Sequence, residues 1–470
     1  MTAADKILDQ VLNQLGQSDT FEQTIAFALA GIAVHNLRYD LDHKGWFNWT
    51  GNIWAGGKLA QVAVDTMVKV FLGKIVERRR DTMKIGQKRQ MLSAKMMASI
   101  EKIMRTDARL AVTRDHWNRD PYLVAAPNGV VDLRTGKLKA GVATDMITRV
   151  TRWPIDPKGT KAKLWLEFLD KITRGDKKLQ KFLQLWFGIS LVAEVVYQRL
   201  VFIYGLGANG KNTLVDTIAR LVGDYCVRVD IDTFLQQRSA QHPAGLARAI
   251  SAPMAFAVEA PDNTTFDMAK LKMVTGEDEI SARFMHQNFA TSRVQCSLTI
   301  TGNYMPNLRD VDPGIVRRFL MVHLDYMIPE SERVPRYHDV LVNAEGPAIM
   351  RWIIDGAVEC LNGAGGLVIP PAVAAATAEY FEEQDVMKQF VDDCCEVDNR
   401  PAGEQKQAPW VVDAGALLMA WKSYASEVGR PATPAGFKTR LLRAAPGVKW
   451  FADNKGKHYS GIRLKNEFSE

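Results

Sequence analysis

The segment VFIYGLGANGKNTL, residues 201–214, constrains this 470-residue chain more than any other. A continuous apolar run, strand-like in character, stops at Gly205. After four intervening residues Gly210 and Lys211 open a segment with Leu214, Ile218 and Leu221 on one helical face. A strand, a Gly-x4-Gly-Lys loop and a helix, in that order, make a phosphate-binding P-loop. Glycines let backbone N–H groups turn toward phosphate oxygens, and the helix N-terminus adds partial positive charge. The expected nucleotide contacts are Gly205, Ala208, Asn209, Gly210, Lys211, Asn212 and Thr213, with the Lys211 amine on the β- and γ-phosphates. Asn212 stands where such loops usually carry Ser or Thr for magnesium. An amide oxygen suits a hard cation, so Asn212 and Thr213 are both magnesium candidates.

The rest of a nucleotide site is spaced behind this loop. Apolar runs recur at residues 200–204, 226–229, 254–258, 297–301 and 319–324, separated by helical or polar stretches. That alternation predicts a parallel sheet covered on both faces. The third run ends at Glu259, whose carboxylate is placed to hold magnesium or orient an attacking water. The fourth is followed by Asn303, a candidate partner of the γ-phosphate, or else a turn residue before Pro306. Arg317 and Arg318 precede the fifth. Either suits a finger reaching a neighbouring subunit's site, and the plain alternative is a surface pair.

The flanks read differently. Ile7, Val11 and Leu15 suggest a helix within residues 1–30. Residues 31–58 look turn-rich around Trp46, Phe47, Trp49 and Trp54, and residues 60–112 read as long helices with Val64, Met67, Phe71 and Ile75 on one face. Residues 128–138 suggest a hairpin, and 162–192 return to helix. Residues 399–408 read as a loop, and the chain closes with a helix from Phe437 and a β-hairpin. The net charge of +7 permits a polyanionic partner. Residues 69–105 hold eleven Lys or Arg against three acids, and 435–470 hold eight against three. These are candidate DNA contacts, or simply solvated faces. Five cysteines without a CxxC pattern argue against a disulfide scaffold or structural zinc, and Cys394 and Cys395 read as helical. No apolar stretch is long enough to span a membrane, and the N-terminus lacks a signal-peptide layout.

In order, GLGANGKNT, AFAVEAP, LKMVTGEDEISAR, LTITGNYMP and GIVRRF resemble the superfamily 3 helicases, closest to the phage and plasmid primase–helicase branch that includes poxvirus-type replication ATPases. The segment at 272–283 resembles that family's extra motif between the acid and the asparagine. The resemblance implies ATP and Mg2+ as cofactors, Glu259 as Walker B acid, Asn303 as sensor and Arg317 or Arg318 as a finger in trans. It also implies a homo-oligomeric ring, a hexamer, around single-stranded or forked DNA. A hairpin after Arg283, with its tip at His286 and Gln287, would line the pore. Lys272, Arg283, His286, Gln287, Lys438, Arg440, Lys455 and Lys457 are the expected DNA contacts. No paired-carboxylate motif or zinc ligand set precedes the P-loop, so priming is expected of a separate primase or initiator partner.

The expected fold is α/β: a P-loop AAA+ type core with a parallel sheet, a mostly helical region before it and a small winged-helix-like domain after it. The expected divisions are 1–160, a helical collar at 161–198, the ATPase core at 199–365 and a C-terminal DNA-binding domain at 366–470. The expected function is an ATP-dependent DNA helicase or translocase replicating a phage, plasmid or other mobile element in a prokaryotic cytoplasm, without membrane association. The alternatives are an ATP-regulated initiator, or a scaffold weakened at Asn212. A small-substrate kinase fits worst, because it explains neither the Arg pair nor the basic C-terminal segment.

Overall fold

The computed structural model describes residues 21–236, 244–260, 265–276, 279–283, 289–305, 308, 312–398, 410–428, 437–454 and 456–465, giving only backbone for residues 21, 244, 259–260, 279–283 and 289–293. The chain forms two compact units, Met1–Pro306 with Arg318–Ala374, and Asn307–Arg317 with Ala375–Glu470.

In the first unit, helices α1 (Phe21–Ala33), α2 (Lys58–Arg78), α3 (Ile85–Met91) and α4 (Ala94–Met104) surround a core that includes Leu29, Val64, Leu72, Ile75 and Ile100. Val64, Phe71 and Ile75 are buried together as their spacing predicts. The stretch expected as turns is instead sheet: β1 (Leu37–Asp40), β2 (Gly45–Trp49) and β3 (Trp54–Gly56), completed by β4 (Ala111–Val112) in the order β3-β2-β1-β4. This region is therefore mixed rather than mostly helical. Its aromatic residues favour pleated, half-buried surfaces, and polar anchors lock them. Trp46 Nε1 donates to Glu101 Oε1 at 2.5 Å, and buried Asp40 accepts from Trp117 Nε1 at 2.7 Å.

A meander of β5 (Leu123–Ala126), β6 (Gly129–Asp132) and β7 (Lys137–Lys139) follows, with Asp132 opposite Lys137 in the expected hairpin. Helices α5 (Lys163–Ile172) and α6 (Lys177–Ile189) do not stand apart as a collar. Their apolar faces, among them Trp165, Leu169, Phe182 and Trp186, share one core with the central sheet.

That sheet comprises β8 (Leu200–Tyr204), β9 (Cys226–Asp230), β10 (Met254–Ala260), β13 (Ser297–Gly302) and β14 (Phe319–His323). All five are parallel, in the order β14-β8-β13-β10-β9. Between β10 and β13 lies the antiparallel pair β11 (Glu279–Arg283) and β12 (Phe289–Arg293). Helices α7 (Lys211–Val222), α8 (Ala244–Ala249) and α9 (Met268–Val274) connect the strands, and short α10 (Pro313–Val316) falls in the second unit.

Helix α11 (Tyr337–Asn362) covers the sheet against α6. The two cross at glycines. A Cβ on Gly356 would lie 2.1 Å from the Gln184 carbonyl oxygen, and one on Gly188 would lie 2.2 Å from the Ala357 nitrogen. Within α11, Pro347 removes a backbone donor and Glu345 leaves helical geometry at φ −135°. The freed Glu345 carboxylate accepts from the Leu164 and Trp165 backbone N–H groups, each at 3.0 Å, and so caps α5.

After α12 (Pro371–Gln384), the second unit contains α13 (Val386–Cys394), β15 (Cys395–Val397), β16 (Val411–Asp413), α14 (Ala414–Glu427), α15 (Phe437–Ala444), β17 (Lys449–Asp453), β18 (Gly456–Ser460) and β19 (Ile462–Leu464). Strand β18 lies between β16 and β17, and β15 pairs with β19, all antiparallel. Phe390, Leu417, Trp421, Leu441 and Tyr459 form its core. Cys395 starts a strand rather than continuing the helix that ends at Cys394. The expected helix before residue 21 and the loop at 399–408 lie outside the described residues.

Candidate nucleotide site

Strand order reverses beside β8. The chain runs from β8 to the edge strand β9, returns through β10 and β13, then crosses to β14 on the far side of β8. In open parallel sheets such a reversal leaves a crevice at the carboxyl ends of the strands. Residues 205–211 occupy that position.

Buried on both faces, β8 delivers the chain into Gly205. There φ is +154°, and a Cβ would lie 2.1 Å from the Leu324 carbonyl oxygen and 2.2 Å from Asn209 Nδ2. Only glycine fits that position. Asn209, 3% exposed, donates from Nδ2 to the Leu324 carbonyl at 2.7 Å and so ties the loop to the end of β14. Leu206, Gly207 and Ala208 face solvent, with Ala208 in left-handed backbone at φ +62°. Its carbonyl accepts from the Ile328 N–H at 2.9 Å.

Lys211, only 5% exposed, begins α7. Its Nζ donates to the Gly205 carbonyl at 2.5 Å, to Asn209 Oδ1 at 2.8 Å and to Asn303 Oδ1 at 3.2 Å. All three acceptors are neutral, and burial pushes the amine below its ordinary value of 10.5. A buried cation met, among the described residues, only by neutral oxygens, at the N-terminus of a twelve-residue helix, favours an incoming anion. The donors and the space closed to any Cβ at residue 205 fit a phosphate chain.

The structure brings Gly205, Asn209, Lys211 and Asn303 together across β8 and β13. Asn212 is exposed and Thr213 half-buried in the first turn of α7, offering an amide and a hydroxyl that suit a hard cation. Glu259 lies on β10 at the register shift between Val258 and Ala260, at the same end of the sheet as Asn303. Its side chain lies outside the described residues.

The arginines fall elsewhere. Arg318 immediately precedes β14, and its carbonyl accepts from the Leu200 N–H at 2.7 Å. It therefore sits a full strand length, roughly 17 Å, from the glycine loop of its own chain. Its side chain donates to Thr275 Oγ1 at 3.1 Å and to Gln198 Oε1 at 3.2 Å. Thr275 and Gln198 escaped sequence reasoning, because single polar residues at helix and loop ends carry no periodic signal. Arg317 is exposed and belongs to the second unit.

Of the expected DNA contacts, Lys272 is half-buried on α9. The hairpin does not follow Arg283. Arg283 ends its first strand and pairs with Phe289, because the β-rich run EISAR already forms β11. His286 and Gln287, the expected tip, the Arg283 side chain and Lys455 lie outside the described residues. In the second unit, Lys438 places its amine 3.3 Å from the Trp450 ring centroid, Arg440 lies 5.8 Å from that of Trp421, and Lys457 is exposed on β18.

Residues 29–174 match the family model described as D5 N terminal like. A provisionally named helicase of Acanthamoeba polyphaga mimivirus is 27% identical over 308 residues, covering 60% of this chain and 31% of that protein. One from Frog virus 3 (isolate Goorha) is 24% identical over 272 residues, covering 53% of this chain and 27% of that protein. The chain thus matches under a third of the length of these curated relatives. Two apo structures of the NrS-1 C-terminal region are 11% identical with a TM-score of 0.47, covering 93% of this chain and 99% or 98% of theirs. The chain is a mixed α/β protein with a five-stranded parallel sheet, similar in sequence to helicase-named viral proteins. Among the described residues, no helix is long and apolar enough to cross a membrane.

Proposed function

We propose that this chain is an ATP-hydrolysing motor that moves on single-stranded or forked DNA during replication of a phage, plasmid or other mobile element. One observation carries the reading: buried Lys211 meets Asn303 Oδ1 at 3.2 Å across two parallel strands, joining a glycine loop to a sensor position. In this reading Lys211 and the loop backbone bind the nucleotide phosphates. Asn303 exchanges its lysine contact for the γ-phosphate or the attacking water, and Glu259 orients that water. Asn212, Thr213 and Glu259 would hold magnesium, which when bound neutralises charge on the phosphate oxygens.

Ring assembly completes the site. Arg318 lies just before β14, at the end of the sheet remote from its own loop, which suits service to a neighbouring copy. Arg317 is the alternative finger. The β11–β12 pair would follow the strand in the pore, with Lys272 ahead of its first strand, Arg283 at its turn end, and His286 and Gln287 as the expected contacts between the two strands. In the second unit the succession α13, β16, α14, α15, β17, β18 supports a winged-helix reading, with Lys438 and Arg440 on the groove helix and Lys455 and Lys457 on the wing. A primase or initiator would be a separate partner.

The test is ATP hydrolysis with and without single-stranded DNA, comparing wild type with Glu259→Gln and Arg318→Ala. Strong stimulation by DNA, lost in both variants, is the expected result. DNA-independent or absent turnover with ATP still bound would replace the motor by an initiator or scaffold. Asn212 favours that second reading, because it removes the hydroxyl that usually holds magnesium.

A further inference from the structure

A second cation-lined recess lies in the N-terminal region. A cavity of 800 Å3 opens between the end of α1, the ends of β2 and β4, and residues 143–146. Arg38, Arg109, Arg119, Trp49, Asp120 and Asp145 line it. The charges in its wall are not evenly matched. Asp120 is taken by Arg134 at 2.8 Å, and Asp145 faces Lys139 at 3.4 Å. Arg109 pairs with its own Asp107 at 2.6 Å. Arg38 and Arg119 remain, and no carboxylate among the described residues pairs with either.

Arg38 is the more constrained. Its Nη1 donates to the Val34 and Leu37 carbonyls at 2.5 and 2.7 Å, and its guanidinium carbon lies 4.8 Å from the Trp54 ring centroid. Burial pushes its pKa below the ordinary value, with no counter-charge among the described residues to offset the lost hydration. The Nε and Nη2 hydrogens are left for another acceptor. Arg119 is exposed and fixed only through Nε to the Asp115 carbonyl at 2.8 Å. Trp49 is half-buried, 5.6 Å from Trp54 between ring centroids. Guanidinium forks suit phosphate oxygens, and an aromatic face beside them suits an unpaired base.

We infer that this cavity binds the backbone of single-stranded DNA, with Arg38 and Arg119 on phosphates and Trp49 as a base platform. The choice of DNA over another phosphate ligand rests on the motor reading. The anion preference rests on the cavity alone.

The full chain, Arg38→Gln and Arg119→Gln are titrated into a labelled oligothymidylate without nucleotide, at several salt concentrations. Each variant is expected to bind roughly tenfold more weakly, with a salt slope shallower by about 0.7 for one lost phosphate contact. DNA-independent ATP hydrolysis stays at the wild-type rate. Arg119→Gln guards against a folding defect at Arg38, since the Arg119 side chain is exposed. Wild-type binding matched by both variants in affinity and slope overturns the cavity and leaves the motor reading standing. Wild-type protein that does not bind the oligonucleotide overturns both. Variants that lose inorganic pyrophosphate binding but keep the oligonucleotide overturn DNA as the ligand.

Discussion

The glycine loop at 205–211 and the N-terminal cavity each hold a desolvated cation that no carboxylate among the described residues neutralises, yet they are built in opposite ways. Lys211 is surrounded by oxygens from its own motif and from Asn303 on the next strand, all fixed by a parallel sheet. Arg38 sits in a recess assembled from separate segments on α1, β1, β2, β4 and a loop near residue 145. The first site is compact in sequence and rigid in space. The second exists only once the region has folded. Both obey one rule: a desolvated cation met, among the described residues, only by neutral dipoles favours an anion from outside.

The comparison breaks most readily at Lys211. Lys211→Ala should reduce ATP hydrolysis by about 100-fold or more, as loss of a preorganised charge at developing phosphate charge does. Initial-rate assays check this, and retained turnover would remove the loop from the chemistry. Next in size is a glycine pair. Gly205→Ala forces a Cβ into the Leu324 carbonyl and should cost about 1–3 kcal/mol of stability. Gly207→Ala, with nothing within 4 Å of its Cβ, should be near neutral in the same urea titration.

A smaller effect concerns protons. The folded state holds the Lys211 amine below 10.5, so in the window beneath 10.5 it binds fewer protons than the unfolded chain. Stability therefore rises with pH across that window. The unfolding free energy of wild type relative to Lys211→Met should climb there and flatten when nucleotide phosphates offset the desolvation. A difference that stays level with pH would mean the amine is not desolvated. Smallest of all is Arg109→Gln. Asp107 already neutralises Arg109, so oligonucleotide affinity should change by less than about twofold. A loss as large as that of Arg38→Gln would erase the distinction between paired and unpaired arginines.

The central sheet was legible because each strand is a continuous apolar run. The run at 200–204 coincides with β8, and the next four fall within a residue or two of their strands. The loop was legible because its chemistry is local. The sheet at 37–56 was not, since its strands are three to five residues long and their aromatic side chains also suit turns. Nor was the merging of 161–198 with the sheet core, which depends on Gly188 and Gly356 meeting across more than 160 residues of chain. The ties of Arg318 to Thr275 and Gln198, and the cavity around Arg38, are likewise long-range facts that no spacing announces.

The cap that Glu345 places on α5 has a consequence for synthesis. The backbone donors of Leu164 and Trp165 wait for a carboxylate 181 and 180 residues downstream. On the ribosome, every residue of the parallel sheet emerges before the one that seals the helix beneath it. Trp165 and Leu169 have no α11 to bury them until then. The nascent chain must carry this apolar face without its α11 cover while the intervening 180 residues are made, so the stretch ending at residue 362 acts as a latch on this core.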